Sequence, residues 1–232
     1  MEYEKVYRSL NCLVSVPPGD VPEGGWPVLI FLHGDGEAAP MKLQNAMKMH
    51  GPLRESSGTK ATERFVVVAP QLPAHKRGDA WATQAEAVRD IGLDVVGEHD
   101  CNAAQIYLTG FSFGGNGVLE IGVGQPNDWA ALWPVDPTRP LQKSTDRPIW
   151  VSGGPRARPS KETFRKVWEV QDRVPDANPH PTRVYDEDLR LDHVGTAVAA
   201  YADDAIYTWL LTHRRPSSSG PVRPVSGNEP KV

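Results

Sequence analysis

The chain has 232 residues, 23% of them charged, and a formal net charge of −4 at pH 7. That length supports a sizeable core without disulfide or metal staples, and mild acidity with no long basic run gives no electrostatic reason to expect nucleic acid. No stretch approaches the roughly 18 apolar residues of a membrane span, and Met1–Lys5 is charged where a secretory leader is apolar.

The elements read as follows in chain order. Val6 to Val16 alternates β-branched and polar residues, as an antiparallel edge hairpin does. Pro17 to Gly25 is a turn-rich connector. Pro27–Leu32 and Phe65–Ala69 are continuous apolar runs, the pattern of strands buried on both faces. Met41 to Arg54 between them is expected to be a surface helix. Thr83 to His99 carries Val88, Ile91 and Val95 at helical spacing. Gln105–Thr109 is the next strand, and Trp129–Val135 and Pro148–Val151 are two more. Ser160 is placed to cap a helix running through Val170. Thr182–Tyr185 is the last strand, and Ala202 to His213 closes the fold as an amphipathic helix. Alternating strands and helices imply an α/β fold with a mainly parallel sheet. We expect one such domain over residues 1–214 and a flexible Pro/Ser/Gly-rich tail over 215–232.

Within that frame, Gly110-Phe111-Ser112-Phe113-Gly114 follows an apolar strand and precedes a helical stretch. Gly-x-Ser-x-Gly in that setting reads as a nucleophile elbow, a strained turn that exposes the serine hydroxyl. The following helix aims its N-terminus at developing negative charge. Upstream, His33-Gly34-Asp35-Gly36-Glu37 ends the strand Pro27–Leu32, where an oxyanion loop is expected. The backbone amides of Asp35 and Phe113 are the two expected donors. The base is sought among His180, His193 and His213, and His193 is favoured because it lies between the last strand and the closing helix. For the carboxylate, Asp136 at the end of Trp133–Val135 is preferred over Asp186, Glu187, Asp188 and Asp192, with a plain Asp-Pro turn as the competing reading.

Taken together the sequence resembles the α/β-hydrolase serine esterases, in particular the branch around phospholipase/carboxylesterases and the esterase–peptidase proteins related to feruloyl esterases and polyhydroxybutyrate depolymerases. The likeness rests on Leu32–Glu37, His50-Gly-Pro52, Val68–Gln71, Trp81, Ile106–Gly115, Pro148–Val151, Asp192-His193, Ala200–Asp203 and Trp209–Leu211, and it extends from about Tyr3 to Arg214. The resemblance implies an α/β-hydrolase fold without a large lid, with Ser112 as nucleophile and His193 as general base and acid. It also implies loops carrying Trp81 and Gln71 toward a pocket, although Trp81 reads equally well as a core aromatic. The chain departs from the family in two places. Arg156 stands where the family's aspartate follows the strand Pro148–Val151, and Asp35 stands where a small or apolar residue is usual.

The expected activity is therefore a serine carboxylesterase acting on a small-molecule ester. A hydrolase-fold binding protein with little catalysis, and a peptidase or amidase, are the alternatives. No His, Cys and carboxylate cluster has metal-ligand spacing, and no phosphate-binding loop stands outside the elbow, so neither metal nor cofactor is expected. Cys12 and Cys101 form no Cys-x-x-Cys, and free thiols fit a reducing, cytoplasmic setting, with a disulfide between them left open. Oligomeric state and the natural ester are not readable.

Overall fold

A computed structural model describes residues 1–74, 80–139, 141–154, 161–173 and 181–216. The expected cap Ser160, the histidine His180, Arg156 and tail residues 217–232 lie outside the described residues.

The chain opens on a hairpin, β1 (Glu2–Tyr7) and β2 (Leu10–Ser15), paired antiparallel. Its turn residues Arg8 and Ser9 both take the left-handed conformation that a two-residue hairpin turn needs. Then follow β3 (Trp26–Leu32), α1 (Leu43–Met47), β4 (Val66–Gln71), α2 (Ala85–Glu98), β5 (Cys101–Phe111) and α3 (Phe113–Gly124). The second half comprises β6 (Ala131–Val135), β7 (Ile149–Gly153), α4 (Lys161–Trp168), β8 (Gln171–Asp172), β9 (Arg183–Glu187), α5 (His193–Ala202) and α6 (Asp204–Leu211). The strands form one nine-stranded sheet in the order β1-β2-β4-β3-β5-β6-β7-β9-β8. From β4 to β8 every pairing is parallel.

The apolar runs fill both faces of this sheet by simple alternation. Val28, Ile30, Leu32, Val66 and Val68 point to one face, where they meet α2 (Val88, Ile91, Val95), α3 (Val118, Leu119, Ile121) and α4 (Phe164, Trp168). Leu29, Phe31, Val67 and Ala69 point to the other face, covered by α1, α5 and α6. Burying each such aliphatic or Phe side chain contributes about 1.5–3 kcal/mol, which is why these runs fold as central strands. The Cys12 and Cys101 thiols are free, and burial pushes both up to about 12. No helix among the described residues is long and apolar enough to cross a membrane.

Three elements differ from expectation. The surface helix over Met41–Arg54 contracts to Leu43–Met47, because Gly51 sits at φ +110 and Pro52 follows it, a pairing no helix continues through. The expected closing helix corresponds to α6, which begins afresh at Asp203, whose extended backbone and Oδ1, accepting from the Ala205 amide at 2.9 Å, cap it, and a further helix, α5, precedes it. Strand β8 has only two residues, too few for a periodic signal.

The parallel strands deliver their carboxyl ends to one edge. Leu32 pairs with Gly110, Phe111 with Val135, and Val135 with Ser152. From β3 the chain steps outward to β4 and later inward to β5, so β3 and β5 flank the switch point where open α/β sheets form their crevice.

Candidate active site

Ser112 is the single residue between the end of β5 and the start of α3, at φ +56 and ψ −112. A non-glycine residue in that region carries strain of order 1–3 kcal/mol, so its surroundings must hold it. The Ser112 amide donates to the Val135 carbonyl at 2.9 Å, and the Ser112 carbonyl accepts from Asn116 at 3.1 Å. The turn closes only because its glycines lack side chains. A Cβ on Gly114 would lie 1.9 Å from the Leu32 carbonyl oxygen, and one on Gly110 would lie 2.5 Å from that of Gly114. Phe113 is the first residue of α3, where an amide has no partner within the helix.

His193 is the first residue of α5. Asp192 caps that helix, its Oδ1 accepting from the Gly195 amide at 2.7 Å. Tyr201, fully buried against Phe31 and Trp133, docks the same helix on the sheet. The imidazole Nε2 lies 2.8 Å from Ser112 Oγ, and Nδ1 lies 2.5 Å from Asp136 Oδ2. Asp136 follows β6 and is buried, at φ +42, with its amide donating to the Ser152 carbonyl at 2.7 Å. Its second oxygen, Oδ1, accepts from the Gly154 amide at 3.3 Å. Both oxygens of this buried carboxylate are thus engaged, which offsets the cost of its burial, and its bond to Nδ1 leaves Nε2 facing the serine.

Three of the other candidate carboxylates and His213 are engaged elsewhere. Asp186 pairs with Arg173 at 3.1 Å, Asp188 with Arg190 at 2.8 Å, and Asp192 is the cap already described. The His213 ring packs on Trp209 beyond the end of α6.

The loop after β3 is pinned at several points. The Leu72 amide donates to His33 Nε2 at 3.1 Å, which leaves Nδ1 as the protonated nitrogen, 2.8 Å from the Gly34 carbonyl oxygen it donates to. In a trans peptide the next N–H points opposite to that carbonyl, so the Asp35 amide faces away from the His33 ring. Asp35 itself is exposed. Trp81 and Gln71 hold this loop from below and do not project into open space. Trp81 is 1% exposed and donates from Nε1 to the His33 carbonyl at 3.2 Å. Gln71 is buried, with Nε2 donating to the carbonyls of Glu37 at 2.9 Å and Met41 at 3.0 Å. For Trp81 this burial agrees with the core-aromatic reading.

No known protein-family model matches the sequence, and no curated protein sequence matches it. Solved structures do match. A thermostable esterase aligns with a TM-score of 0.64 at 19% identity, over 93% of this chain and 63% of its own. This chain therefore spans less than two thirds of that protein's length. An S-formylglutathione hydrolase from Agrobacterium tumefaciens aligns at TM-score 0.58 and 12% identity, over 91% of this chain and 93% of its own. A serine hydrolase without lid from Xanthomonas campestris aligns at 0.55 and 12%, over 90% and 94%. The chain has the α/β-hydrolase fold.

Within the α/β-hydrolase fold, the carboxylate bonded to His193 stands after β6, one strand before the position the resemblance implied. One part of the neighbourhood went unread in the sequence. Glu37 is buried and its Oε1 lies 2.5 Å from His50 Nδ1. The Phe111 ring separates this pair from the other, with centroids 4.9 Å from His50 and 4.6 Å from His193. Both residues sit in segments that carry the α/β-hydrolase likeness, but 13 residues apart with no periodic link they give no sign of meeting. Among the described residues, no group of three or more His, Cys, Asp or Glu is arranged to hold a metal ion.

Proposed function

We propose that the protein is a serine hydrolase that cleaves carboxylic esters through an acyl-enzyme on Ser112. The observation that carries this reading is the unbroken chain Ser112 Oγ, His193 Nε2, His193 Nδ1, Asp136 Oδ2, at 2.8 and 2.5 Å. A free serine hydroxyl is a poor nucleophile, and a positioned imidazole removes its proton as the bond to carbon forms. In the first step Ser112 Oγ bonds to the acyl carbon, the carbonyl electron pair moves to oxygen, and the proton passes to His193 Nε2. The negative oxygen rests on the Asp35 and Phe113 amides, aided by the N-terminus of α3. Collapse expels the alcohol, which takes the proton from His193. Water, deprotonated by the same imidazole, then releases the acid and restores Ser112. Asp136 stays ionised throughout and steadies the imidazolium.

The His193 side chain is 37% exposed, so the base is reachable from solvent. That favours small or extended esters in an open crevice, and three solved structures of like fold carry the names of hydrolases, one of them described as lacking a lid. Free Cys12 and Cys101 support a reducing, cytoplasmic setting.

The test is labelling of the purified protein by a fluorophosphonate, followed by an ester panel. The wild type is expected to label stoichiometrically and Ser112→Ala not at all, with ester turnover lowered by about 10⁵-fold or more. A folded wild type that neither labels nor hydrolyses any ester would leave a hydrolase-fold binding protein as the better reading.

A further inference from the structure

The Glu37–His50 pair has no part in the reaction just described, yet it is built with as much care as the Asp136–His193 pair. Glu37 is 2% exposed, and isolating a carboxylate from water is costly unless its oxygens are satisfied. Here both are. Oε1 meets His50 Nδ1 at 2.5 Å, and Oε2 accepts from the Gly34 amide at 3.2 Å. The backbone of Glu37 is tied as well, through its carbonyl to Gln71. His50 is fixed by its neighbour. Gly51 packs so tightly on Phe31 that a Cβ there would lie 2.3 Å from the ring, and Ser57 Oγ donates to the Gly51 carbonyl at 2.8 Å. The His50 ring then rests on Phe111, whose ring also stacks near His193.

What this array holds is the pair of peptides on either side of Gly34. Gly34 is gripped at its N–H by Glu37 and at its carbonyl by His33. Glu37 fixes the His33–Gly34 peptide and His33 the Gly34–Asp35 peptide, so the two bonds together restrict rotation about Gly34 and with it the direction of the Asp35 N–H. An oxyanion donor is effective only when it is aimed before the charge develops. We propose that Glu37 and His50 form a positioning pair that aims the Asp35 amide at the oxyanion. Neither residue touches the reacting atoms. This inference rests on the serine-hydrolase reading above.

The experiment compares Glu37→Leu, Glu37→Gln and His50→Ala with the wild type on an ester the wild type hydrolyses. It also measures inhibition by a trifluoromethyl ketone, whose adduct with the serine places an oxyanion in the same site. Glu37→Leu is expected to lower kcat by about 100-fold with KM within about threefold, as for loss of one oxyanion donor. The ketone's Ki rises by the same factor as kcat falls, a correspondence that a purely structural role would not produce. Glu37→Gln, which keeps an oxygen toward Gly34, falls between Leu and the wild type. His50→Ala, at a side chain that is 17% exposed, lowers kcat by about 10-fold in the same pattern, and it decides the matter if Glu37→Leu does not fold. Folded variants with unchanged kcat and Ki, or with a raised KM and unchanged kcat, overturn the proposal. A wild type that fails to react with a fluorophosphonate overturns the hydrolase reading itself, so the two failures are distinct.

Discussion

Two carboxylate–imidazole pairs stand on either side of Phe111, each with Nδ1 at 2.5 Å from a buried carboxylate. Locally they are the same chemistry. They differ in what the rest of each pair meets. Both carboxylates give their second oxygen to a backbone amide, Gly154 for Asp136 and Gly34 for Glu37, but His193 presents Nε2 to a hydroxyl held at a strained φ while the His50 ring rests on Phe111. The comparison teaches that a buried Asp/Glu–His contact does not by itself mark a base. The third partner decides whether the pair moves a proton or holds a loop. Asp136 and Glu37 also follow different strands, β6 and β3, so one fold edge carries the same kind of pair twice.

The sharpest way to break this contrast is Asp136→Asn. It keeps the shape of the site but presents an N–H to His193, so kcat is expected to fall by about 10⁴-fold while the thermal midpoint moves by only a few degrees. If kcat instead stayed within tenfold of wild type, Asp136 would be a turn residue and the two pairs would be alike in role. Gly114→Ala probes the point where both regions touch. The new Cβ would meet the Leu32 and His33 carbonyl oxygens at 1.9 and 2.7 Å, so destabilisation beyond about 4 kcal/mol, or failure to fold, is expected in a denaturant titration. A wild-type midpoint would show that the elbow can open without cost. The mildest change is Trp81→Phe, which removes one hydrogen bond to the His33 carbonyl and part of a ring. A loss of roughly 1–2 kcal/mol in stability with KM within threefold is expected. A large rise in KM with no loss of stability would return Trp81 to the substrate.

Much of this was readable from residues alone, for physical reasons that vary by element. The strands over Pro27–Leu32 and Phe65–Ala69 were legible because burial on both faces demands an unbroken apolar run. The elbow was legible because tight backbone approach admits only glycine at 110 and 114. Helix α5 was missed, since its Gly195, Ala197, Ala199 and Ala200 give a weak periodic signal. That Trp81 and Gln71 are buried was not legible, because position along the chain does not say which way a side chain turns.

The sequence by itself therefore determined the fold class, the strained serine and the histidine placed to meet it. Each of those follows from composition within a short window: periodicity, glycine sterics, and the order of strand and helix. The tertiary structure decided between Asp136, preferred from the sequence, as the carboxylate bonded to His193 and a plain Asp-Pro turn, and it alone showed that Glu37 joins His50. The Asp136–His193 contact joins elements brought together by strand order and register in the sheet, and the Glu37–His50 contact folds the β3–β4 connection back on itself, which no local pattern of residues encodes.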